Sequence, residues 1–309
     1  MESPLVSIVI PVYNGANYMR TAIDSALAQT YPNIEIIVVN DGSSDDGQTE
    51  RIALSYGDKI RYFYKENGGC ASALNYGISK MKGDFLSWLS HDDVYSPDKI
   101  QKQMDYIQEH KLDEKRTVIS CNIEVINHVG KKLRKCVKAS GYLDPEQSFR
   151  RCVIGGSFNG CSLLIPKPVI DDIGAFGETY TYILDQVYWT EIALAGYSYY
   201  HAEEILVYNR RHGEQVSVKK QALLDTETDR FTENLYSRIF KDGGSVFNQK
   251  ILYYFCAQTG RKKLAQQMKK ELQQQGHFSF GDRVKVLKMR VKRSVRKLAR
   301  KVYRKLTIR

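Results

Sequence analysis

The chain has 309 residues, a length that suits one large domain with an appendage or two domains. Its hydrophobic content of 42% is ordinary for a globular protein, and no apolar run approaches the roughly 20 residues that a membrane span needs. The formal net charge of +11 belongs to the C-terminal segment, because residues 281–309 hold 13 Lys and Arg residues and a single acid, Asp282. The N-terminus lacks a basic region, and the six cysteines are scattered, so we expect a cytoplasmic protein without a signal peptide, disulfide framework or zinc site.

Strand-like and helix-like segments alternate through the first hundred residues. The predicted strands are Leu5–Val12, Ile34–Val39, Ile60–Tyr64 and Phe85–Leu89. The predicted helices are Tyr18–Gln29, a helix capped by Asp45 or Asp46 that ends near Tyr56-Gly57, Cys70–Met81 and Pro97–His110. This alternation predicts an α/β fold with a mostly parallel central sheet covered by helices.

The alternation ends after Val118. Val118–Ile126 and Lys132–Val137 flank a turn and predict a hairpin, and a strand is predicted at Ser162–Ile165. Helices are predicted at Asp144–Val153 and Asp185–Ala195, and the chain reads as helical from about Asp225 to its end. We therefore divide it into a domain over 1–225, with halves 1–115 and 116–225, and a helical region over 226–309.

Polar motifs follow each of the first strands, at the sheet edge where ligands of open α/β sheets bind. They are Pro11-Val12-Tyr13-Asn14, Asn40-Asp41-Gly42-Ser43, Asn67-Gly68-Gly69 and Asp92-Asp93. The Tyr13 ring can stack on a base or pack on a neighbouring helix. Asp41 can accept a hydrogen bond from a pyrimidine ring N–H or cap a helix.

Asp92 and Asp93 follow an apolar run that reads as a buried strand. Unpaired carboxylates are costly to bury, so acids at such a position suit a hard cation that bridges the protein to a diphosphate. A solvated turn is the alternative, since Asp is common in turns. The tract alone does not decide between these two interpretations.

Taken together, four motifs resemble the family 2 glycosyltransferases, which have the GT-A nucleotide-diphospho-sugar fold. The motifs are Ser7–Asn14, Val38–Ser43, Ala73–Ile78 and Gly83-Asp-Phe followed by Ser90–Asp93. The resemblance covers roughly residues 5–215. It implies that 1–115 is a nucleotide-binding half and 116–225 an acceptor half, and that one sugar is transferred from a UDP- or dTDP-sugar with inversion at the anomeric carbon.

The resemblance also implies the donor-site residues. Tyr13 would stack on the base, Asp41 would bind its imide, Asp92 would meet the ribose, and Asp93 would hold Mg²⁺ or Mn²⁺ against the diphosphate. The remaining expected nucleotide contacts are Pro11, Asn14, Asn67 and Gly68, and His212 is expected near the metal. Two departures from the family pattern are Ser90, where an acid is common, and Asn40, where another Asp is common.

On the acceptor side, Asp185 matches the family's acid at the start of a helix and would be the base that deprotonates the acceptor hydroxyl. Leu184 replaces the Glu that usually precedes it. Asp185 would also serve as a helix N-cap, which does not exclude catalysis. Gly155 and Gly156 would shape the floor beneath the acceptor, and Arg211 or His212 would offset charge on the leaving diphosphate.

The C-terminal segment has apolar residues at helical spacing between basic ones. The stripe consists of Val284, Leu287, Val291, Val295, Leu298, Val302 and Leu306. A cationic amphipathic helix of this kind lies in a membrane interface, where each basic residue gains about 1 kcal/mol near anionic lipids. We expect peripheral binding at the inner face of the cell membrane and a polyprenol-diphosphate-linked acceptor of surface polysaccharide synthesis, and no nucleic-acid partner.

Two other functions compete with sugar transfer. A sugar nucleotidyltransferase needs a Gly-rich, basic loop after the first strand, and Val12–Tyr18 does not supply one. A non-enzymatic membrane-binding module leaves the strand-end motifs without a purpose. Dehydrogenase and P-loop functions are excluded, because neither glycine fingerprint occurs, and the absence of Gln-x-x-Arg-Trp favours one sugar per event over processive synthesis.

Overall fold

The computed structural model of the protein describes residues 3–213 and 221–307. The chain divides into two compact units, one formed by 1–152 and 156–227 and the other by 153–155 and 228–309. The main boundary lies within a few residues of the one predicted near 225.

The first sheet of the larger unit is built from the four predicted strands and one short addition. Its strands are β1 (Val6–Val12), β2 (Ile34–Asp41), β3 (Arg61–Lys65), β4 (Phe85–Trp88) and β9 (Ile165–Pro166). The order is β3-β2-β1-β4-β9, with β1 to β4 mutually parallel and β9 antiparallel to β4. The predicted parallel α/β sheet is therefore confirmed.

Pro11 lies inside the central strand β1, where a missing backbone donor would normally break the sheet. The pairing of β1 with β4 stops at Val9 opposite Trp88, whereas Pro11 remains opposite Val39 of β2. β1 and β4 thus separate before Pro11 is reached. This separation opens the carboxyl edge of the sheet at the point where β4 leads into Asp92 and Asp93.

Four helices pack around this sheet at the predicted positions. They are α1 (Met19–Leu27), α2 (Gln48–Leu54), α3 (Gly69–Lys80) and α4 (Lys99–Glu109). The N-cap residue of α2 is Gly47 and not the predicted Asp45 or Asp46, although Asp45 Oδ2 accepts a hydrogen bond from the Thr49 backbone N–H at 3.0 Å. All seven residues of β1 are buried, as their continuous apolar run predicts.

A second sheet completes the larger unit. Its strands are β5 (Val94–Tyr95), β6 (Thr117–Asn127), β7 (Lys132–Cys136), β8 (Gly141–Leu143) and β10 (Ser198–Arg211). The predicted hairpin is confirmed as the antiparallel pair β6 and β7. The sequence analysis missed β10, which runs parallel to β6 and carries the chain from α7 towards His212.

Three helices lie between the strands of this half, namely α5 (Pro145–Val153), α6 (Lys167–Ile173) and α7 (Leu184–Leu194). Helices α5 and α7 confirm the helices predicted at Asp144–Val153 and Asp185–Ala195. The strand predicted at Ser162–Ile165 is wrong in its first half, because Gly160–Ser162 form a 3-10 turn, whereas Leu164 pairs with Ile119 and Ile165 with Leu86. The side chain of Asn159 imposes this turn by accepting a hydrogen bond from the Cys161 N–H.

The second unit is helical. Its elements are α8 (Gln221–Tyr236, which begins in the first unit), a π-helical turn (Ser237–Lys241), α9 (Val246–Thr259), α10 (Lys262–Gln274) and α11 (Phe280–Thr307). Helix α11 confirms the predicted C-terminal helix and packs on α9 through Val286, which is 6% exposed, and through Asp282, which accepts a hydrogen bond from Tyr254. No described helix is both long and apolar enough to cross a membrane.

The predicted apolar stripe of α11 does not face α9. Leu287 is 63% exposed and Val291 is 55% exposed, whereas the side chains from Val295 onwards lie outside the described residues. Arg290 and Arg293 instead face α9 and donate hydrogen bonds to the carbonyl oxygens of Ala257 and Gln258. The packing face and the apolar stripe are therefore different faces of one helix.

Candidate functional site

Hydrogen bonds fasten the loop after β1 to the loop after β2. Asn14 has a positive φ of 49° and donates its backbone N–H to Ser43 Oγ at 2.9 Å. Its side-chain Oδ1 accepts from the Ser44 N–H at 2.8 Å. Tyr13 projects from this junction with 47% of its surface exposed. The ring is thus available at the sheet edge instead of packed in the core.

The Asp41 carboxylate holds the loop after β3 by accepting several hydrogen bonds. Oδ1 accepts from Lys65 Nζ at 2.8 Å and from the Gly68 N–H at 3.0 Å, and Oδ2 accepts from the Gly69 N–H at 2.8 Å. Gly42, at φ +66°, allows this close approach, because a Cβ there would lie 2.5 Å from the backbone nitrogen of Asn67. The carboxylate predicted to bind a base is already bonded to the start of α3 and to Lys65.

Asn67 and Gly68 belong to the same junction. The Asn67 amide donates to the Asp41 backbone carbonyl at 2.8 Å, and both residues are exposed. The expected nucleotide contacts of the first three strands therefore lie together on one rim, with Pro11 buried beneath them.

Asp93, the predicted metal ligand, is buried and bonded to protein groups. It is 3% exposed, and its two oxygens accept hydrogen bonds from the Asn209 amide at 3.0 and 2.9 Å, from the Arg210 N–H at 2.8 Å and from Cys161 Sγ at 3.2 Å. Burial, followed by the charge of Asp92, raises the pKa of Asp93 to about 7. These bonds join the segment directly before β5 to β10.

Asp92 instead points to His212. Its Oδ2 lies 2.9 Å from His212 Nε2, and the two side chains are 15% and 10% exposed. The Tyr18 ring lies 4.8 Å from the imidazole, and Arg210 Nε holds the Asp92 backbone by donating to its carbonyl oxygen at 2.9 Å. Each member of the pair comes from the end of a strand, one from β4 and one from β10.

These two side chains fit a divalent cation that shares its ligands with a diphosphate. Their donor atoms, one carboxylate and one imidazole, are of types that Mn²⁺ accepts, and the His212 Nδ1 is buried without a hydrogen-bond partner among the described residues. In the part of the chain that the structure describes, no group of three or more His, Cys, Asp or Glu residues could hold a metal.

Asp185 lies in the first turn of α7, where the helix dipole favours a carboxylate. Its Oδ1 accepts from the Gln186 N–H at 2.7 Å, and burial raises its pKa to about 6. The preceding loop is held by Glu227, which the sequence analysis missed. The Glu227 carboxylate, 5% exposed, accepts from the N–H groups of Thr181 and Tyr182 at 2.8 Å each.

Cys70 lies in the first turn of α3. Desolvation by the surrounding protein, followed by the charges of Asp185, Asp41 and Asp92, raises the pKa of its thiol to about 12.

The remaining predicted residues have less defined positions. Gly155 and Gly156 are both exposed, and the Gly156 carbonyl accepts from Lys138 Nζ at 2.9 Å. Arg211 is exposed as the last residue of β10, directly before His212. The structure therefore brings Asp92 to His212 and places Tyr13 and Asp41 on the rim formed by the loops after β1 and β2.

The chain matches known glycosyltransferases in sequence. Residues 7–168 match the model of glycosyl transferase family 2. An uncharacterised glycosyltransferase of Rickettsia felis is 52% identical over 224 residues, which is 70% of this chain and 36% of that protein. A relative in Rickettsia typhi is 50% identical over 70% of this chain and 66% of its own length. The chain spans about a third of the length of the first relatives that it matches.

The fold also matches solved structures. S. aureus TarS 1-349, crystallised in complex with UDP-GlcNAc, superposes with a TM-score of 0.64 at 18% identity, over 81% of this chain and 71% of that one. At this identity the likeness concerns the fold alone. The chain belongs to glycosyl transferase family 2 and has the GT-A fold.

Proposed function

We propose that this family 2 glycosyltransferase transfers one sugar from a UDP- or dTDP-sugar to a hydroxyl group of a saccharide acceptor. The observation that carries the proposal is the gathering of the polar loops after the first strands on one rim, where Asn14 bonds Ser43 and Asp41 bonds Gly68. Sugar transfer needs a nucleotide site and a base on the acceptor side within reach of one another. The rim would supply the first and Asp185 the second. The UDP-GlcNAc bound to TarS, which shares the fold, supports a uridine nucleotide.

The donor would lie along the rim formed by the first strands. The exposed Tyr13 ring offers a stacking surface for the base. Asp41 accepts several hydrogen bonds already, so a base N–H would add to or displace one of them. Asn14, Asn67 and Gly68 surround this position and contribute polar groups.

Asp92 and His212 would hold Mn²⁺ or Mg²⁺ at the diphosphate, which revises the expected role of Asp93. The ion would neutralise charge on the diphosphate as it leaves. Arg211, next to His212, would add a positive charge on the same side. Asp93 would position both groups, because it bonds Asn209 and Arg210 in the strand that leads to them.

Asp185 would act as the base. Its pKa of about 6 leaves the carboxylate ionised at neutral pH and still able to accept a proton. As it removes the proton of the acceptor hydroxyl, the hydroxyl oxygen bonds to the anomeric carbon and the bond to the diphosphate oxygen breaks. Attack from the face opposite the diphosphate inverts the anomeric configuration.

The C-terminal helix would bring the enzyme to its acceptor. Leu287 and Val291 form an exposed apolar stripe on a helix rich in Lys and Arg, as in helices that bind anionic membranes. This favours a polyprenol-diphosphate-linked acceptor at the cytoplasmic membrane face, as in capsule, O-antigen or wall polysaccharide synthesis.

The test is release of nucleotide diphosphate from a panel of nucleotide sugars with Mn²⁺, first screened by thermal shift. We expect one uridine or thymidine sugar to stabilise the protein and to be hydrolysed slowly without an acceptor, and Asp185→Asn to bind it unchanged but lose turnover. A chain that binds none of the panel, or an Asp185→Asn variant with full activity, would overturn the proposal.

A further inference from the structure

The larger unit contains a second polar cluster that the donor and catalytic residues do not use. It lies around the Phe158 ring, which stacks on Tyr199 with centroids 4.6 Å apart. Two cations approach Phe158: Lys138 Nζ at 6.0 Å and Arg151 Cζ at 5.3 Å from its centroid. His201 lies beside them, 6.4 Å from Phe158.

No acid balances these cations. In the described part of the chain, neither Lys138 nor Arg151 forms an ion pair. Burial, and then the charge of Arg151, lowers the pKa of Lys138 to about 8, which leaves it protonated at neutral pH. Burial and the same two cations lower the pKa of His201 to about 3, so His201 is neutral and hydrogen-bonds Ser120 and Asn122.

Several donors of the cluster lack partners. Arg151 Nε and Nη2 and Ser157 Oγ are buried atoms without a hydrogen bond. Buried polar atoms are nearly always paired, and an unpaired charged donor is especially costly. The two residues are neighbours, because the Ser157 N–H donates to the Arg151 carbonyl at 3.2 Å.

The backbone holds this arrangement in place. Ser157 has a positive φ of 40°, which is uncommon for a residue with a side chain. Lys138 Nζ donates to the carbonyls of Gly156 and Ser157, which uses two of its three protons. Arg151 and Ser157 are each partly exposed, so the cluster borders solvent although the three unpaired atoms are buried.

The cluster is next to the proposed base. The Cys152 thiol is in electrostatic range of Arg151, Lys138 and Asp185. Gln186, which follows Asp185, donates its side-chain amide to the Cys152 carbonyl at 3.2 Å. A group bound at Arg151 would therefore belong to the molecule that Asp185 deprotonates.

We propose that Arg151, Ser157 and Lys138 form an acceptor subsite for a phosphate group close to the acceptor hydroxyl. A guanidinium fork, a hydroxyl and an ammonium match the several oxygens of a phosphate. The assignment of this phosphate to the acceptor molecule rests on the proposed function, whereas phosphate binding itself does not. The phosphate comes either from an ester within the saccharide or from the diphosphate that links it to a carrier.

The experiment titrates the full chain with methyl phosphate and methyl diphosphate while UDP and Mn²⁺ saturate the donor site. Site occupancy is read from the NMR resonance of the Arg151 side-chain Nε–H, which is assigned by its loss in Arg151→Gln, and the affinity of every variant is measured by calorimetry. We expect a saturable shift of this resonance in the unaltered chain and a loss of calorimetric affinity of roughly tenfold or more in Arg151→Gln, the scale of one charge-assisted hydrogen bond. Tighter binding of the diphosphate indicates a carrier linkage, and tighter binding of the monoester a phosphorylated saccharide.

Arg150→Gln is the matched control, because Arg150 is exposed in the same helical turn and carries the same charge. It should bind both ligands as the unaltered chain does. If Arg151→Gln does not fold, Ser157→Ala should weaken binding about threefold to tenfold without changing charge. An Arg151 resonance that does not shift, or an equal loss in Arg150→Gln, would overturn the subsite. A phosphate-induced shift in a chain that binds no UDP would instead refute the proposed function alone.

Discussion

The Oδ2 atom of Asp92 lies 2.9 Å from Nε2 of His212, although 120 residues separate them in the chain. The contact exists because β10 runs beside β5 and ends at Arg211, next to the carboxyl end of β4. It brings a carboxylate and an imidazole to the edge of the sheet where the polar loops gather. Residues 92 and 212, from the two halves of the larger unit's sequence, thus meet at one edge.

The first prediction concerns His212. His212→Ala removes one of the two proposed protein ligands, and we expect Mn²⁺ affinity, read from the metal dependence of donor hydrolysis, to fall on the order of 10- to 100-fold. His128→Ala is the control, because His128 is exposed in the turn after β6. Equal metal dependence in both variants would remove His212 from the metal site.

The second prediction separates Asp92 from Asp93. Asp93→Ala leaves the Asn209 amide and Arg210 N–H unpaired, so we expect it to lower the free energy of unfolding by about 2–4 kcal/mol. Asp92→Asn should leave stability within about 1 kcal/mol and weaken the response to Mn²⁺. Urea denaturation of both variants checks the first part. A stable Asp93→Ala protein with lost metal response would restore Asp93 as the ligand.

The third prediction concerns pH. Asp185 must be ionised to accept a proton, and burial raises its pKa to about 6, so turnover should fall as the pH drops through 6. Asp185→Asn should lower turnover by roughly 10²- to 10⁴-fold, the usual contribution of a general base. Asp171→Asn, at an exposed acid paired with Lys167, is the control and should keep both rate and profile. A rate that stays constant from about pH 5 to about pH 8 would contradict this role.

The free energy of unfolding of Asp185→Asn should rise, whereas its turnover falls. Folding raises the pKa of Asp185, so the charged carboxylate destabilises the native state above about pH 6. Below the ordinary pKa of the group the carboxyl is neutral in both states, and this destabilisation is absent. Asp185→Asn should therefore raise the free energy of unfolding at pH 7.5 by about 1–3 kcal/mol and leave it nearly unchanged at pH 3.5. Thermal unfolding at these two pH values measures the difference, and a destabilised variant at pH 7.5 would show that the carboxylate is structural.

The fourth prediction tests the proposed membrane contact of α11 without deleting the helix, since Asp282, Val286 and Arg290 pack within the second unit. Leu287→Asp with Val291→Asp changes only exposed apolar positions, and we expect co-sedimentation with anionic vesicles to fall by about tenfold or more. Leu133→Asp, at a position 57% exposed on β7, is the control. Unchanged vesicle binding in the double variant would refute insertion of this stripe.

Much of the fold follows from local pattern. The run Val6–Val12 is apolar throughout because both faces of a central parallel strand are covered, and that makes it visible in the sequence. β10 was missed for the opposite reason. Glu203 and Glu204 interrupt its apolar pattern where the register with β6 shifts, so no simple alternation marks the strand.

The site was predictable in its residue types but not in its partners. The motif positions of Tyr13, Asp41 and Asp92 were evident, because each follows a recognisable strand. The sequence does not reveal that Asp93 bonds Asn209 or that Glu227 holds the loop before Asp185, since both contacts join distant elements. The sequence pattern of an acid before an apolar helix is the same whether the side chain binds a metal, a substrate or a backbone group.

The central claim is that the strand-end residues bind a uridine diphosphate through a cation held by Asp92 and His212. Calorimetric titration of the full chain with UDP in Mn²⁺, repeated in EDTA and with Asp92→Asn, tests it most directly. The account predicts one site per chain in Mn²⁺ whose affinity falls on the order of tenfold or more in EDTA and in the variant. Equal UDP affinity in all three titrations, or no binding in Mn²⁺, would contradict it.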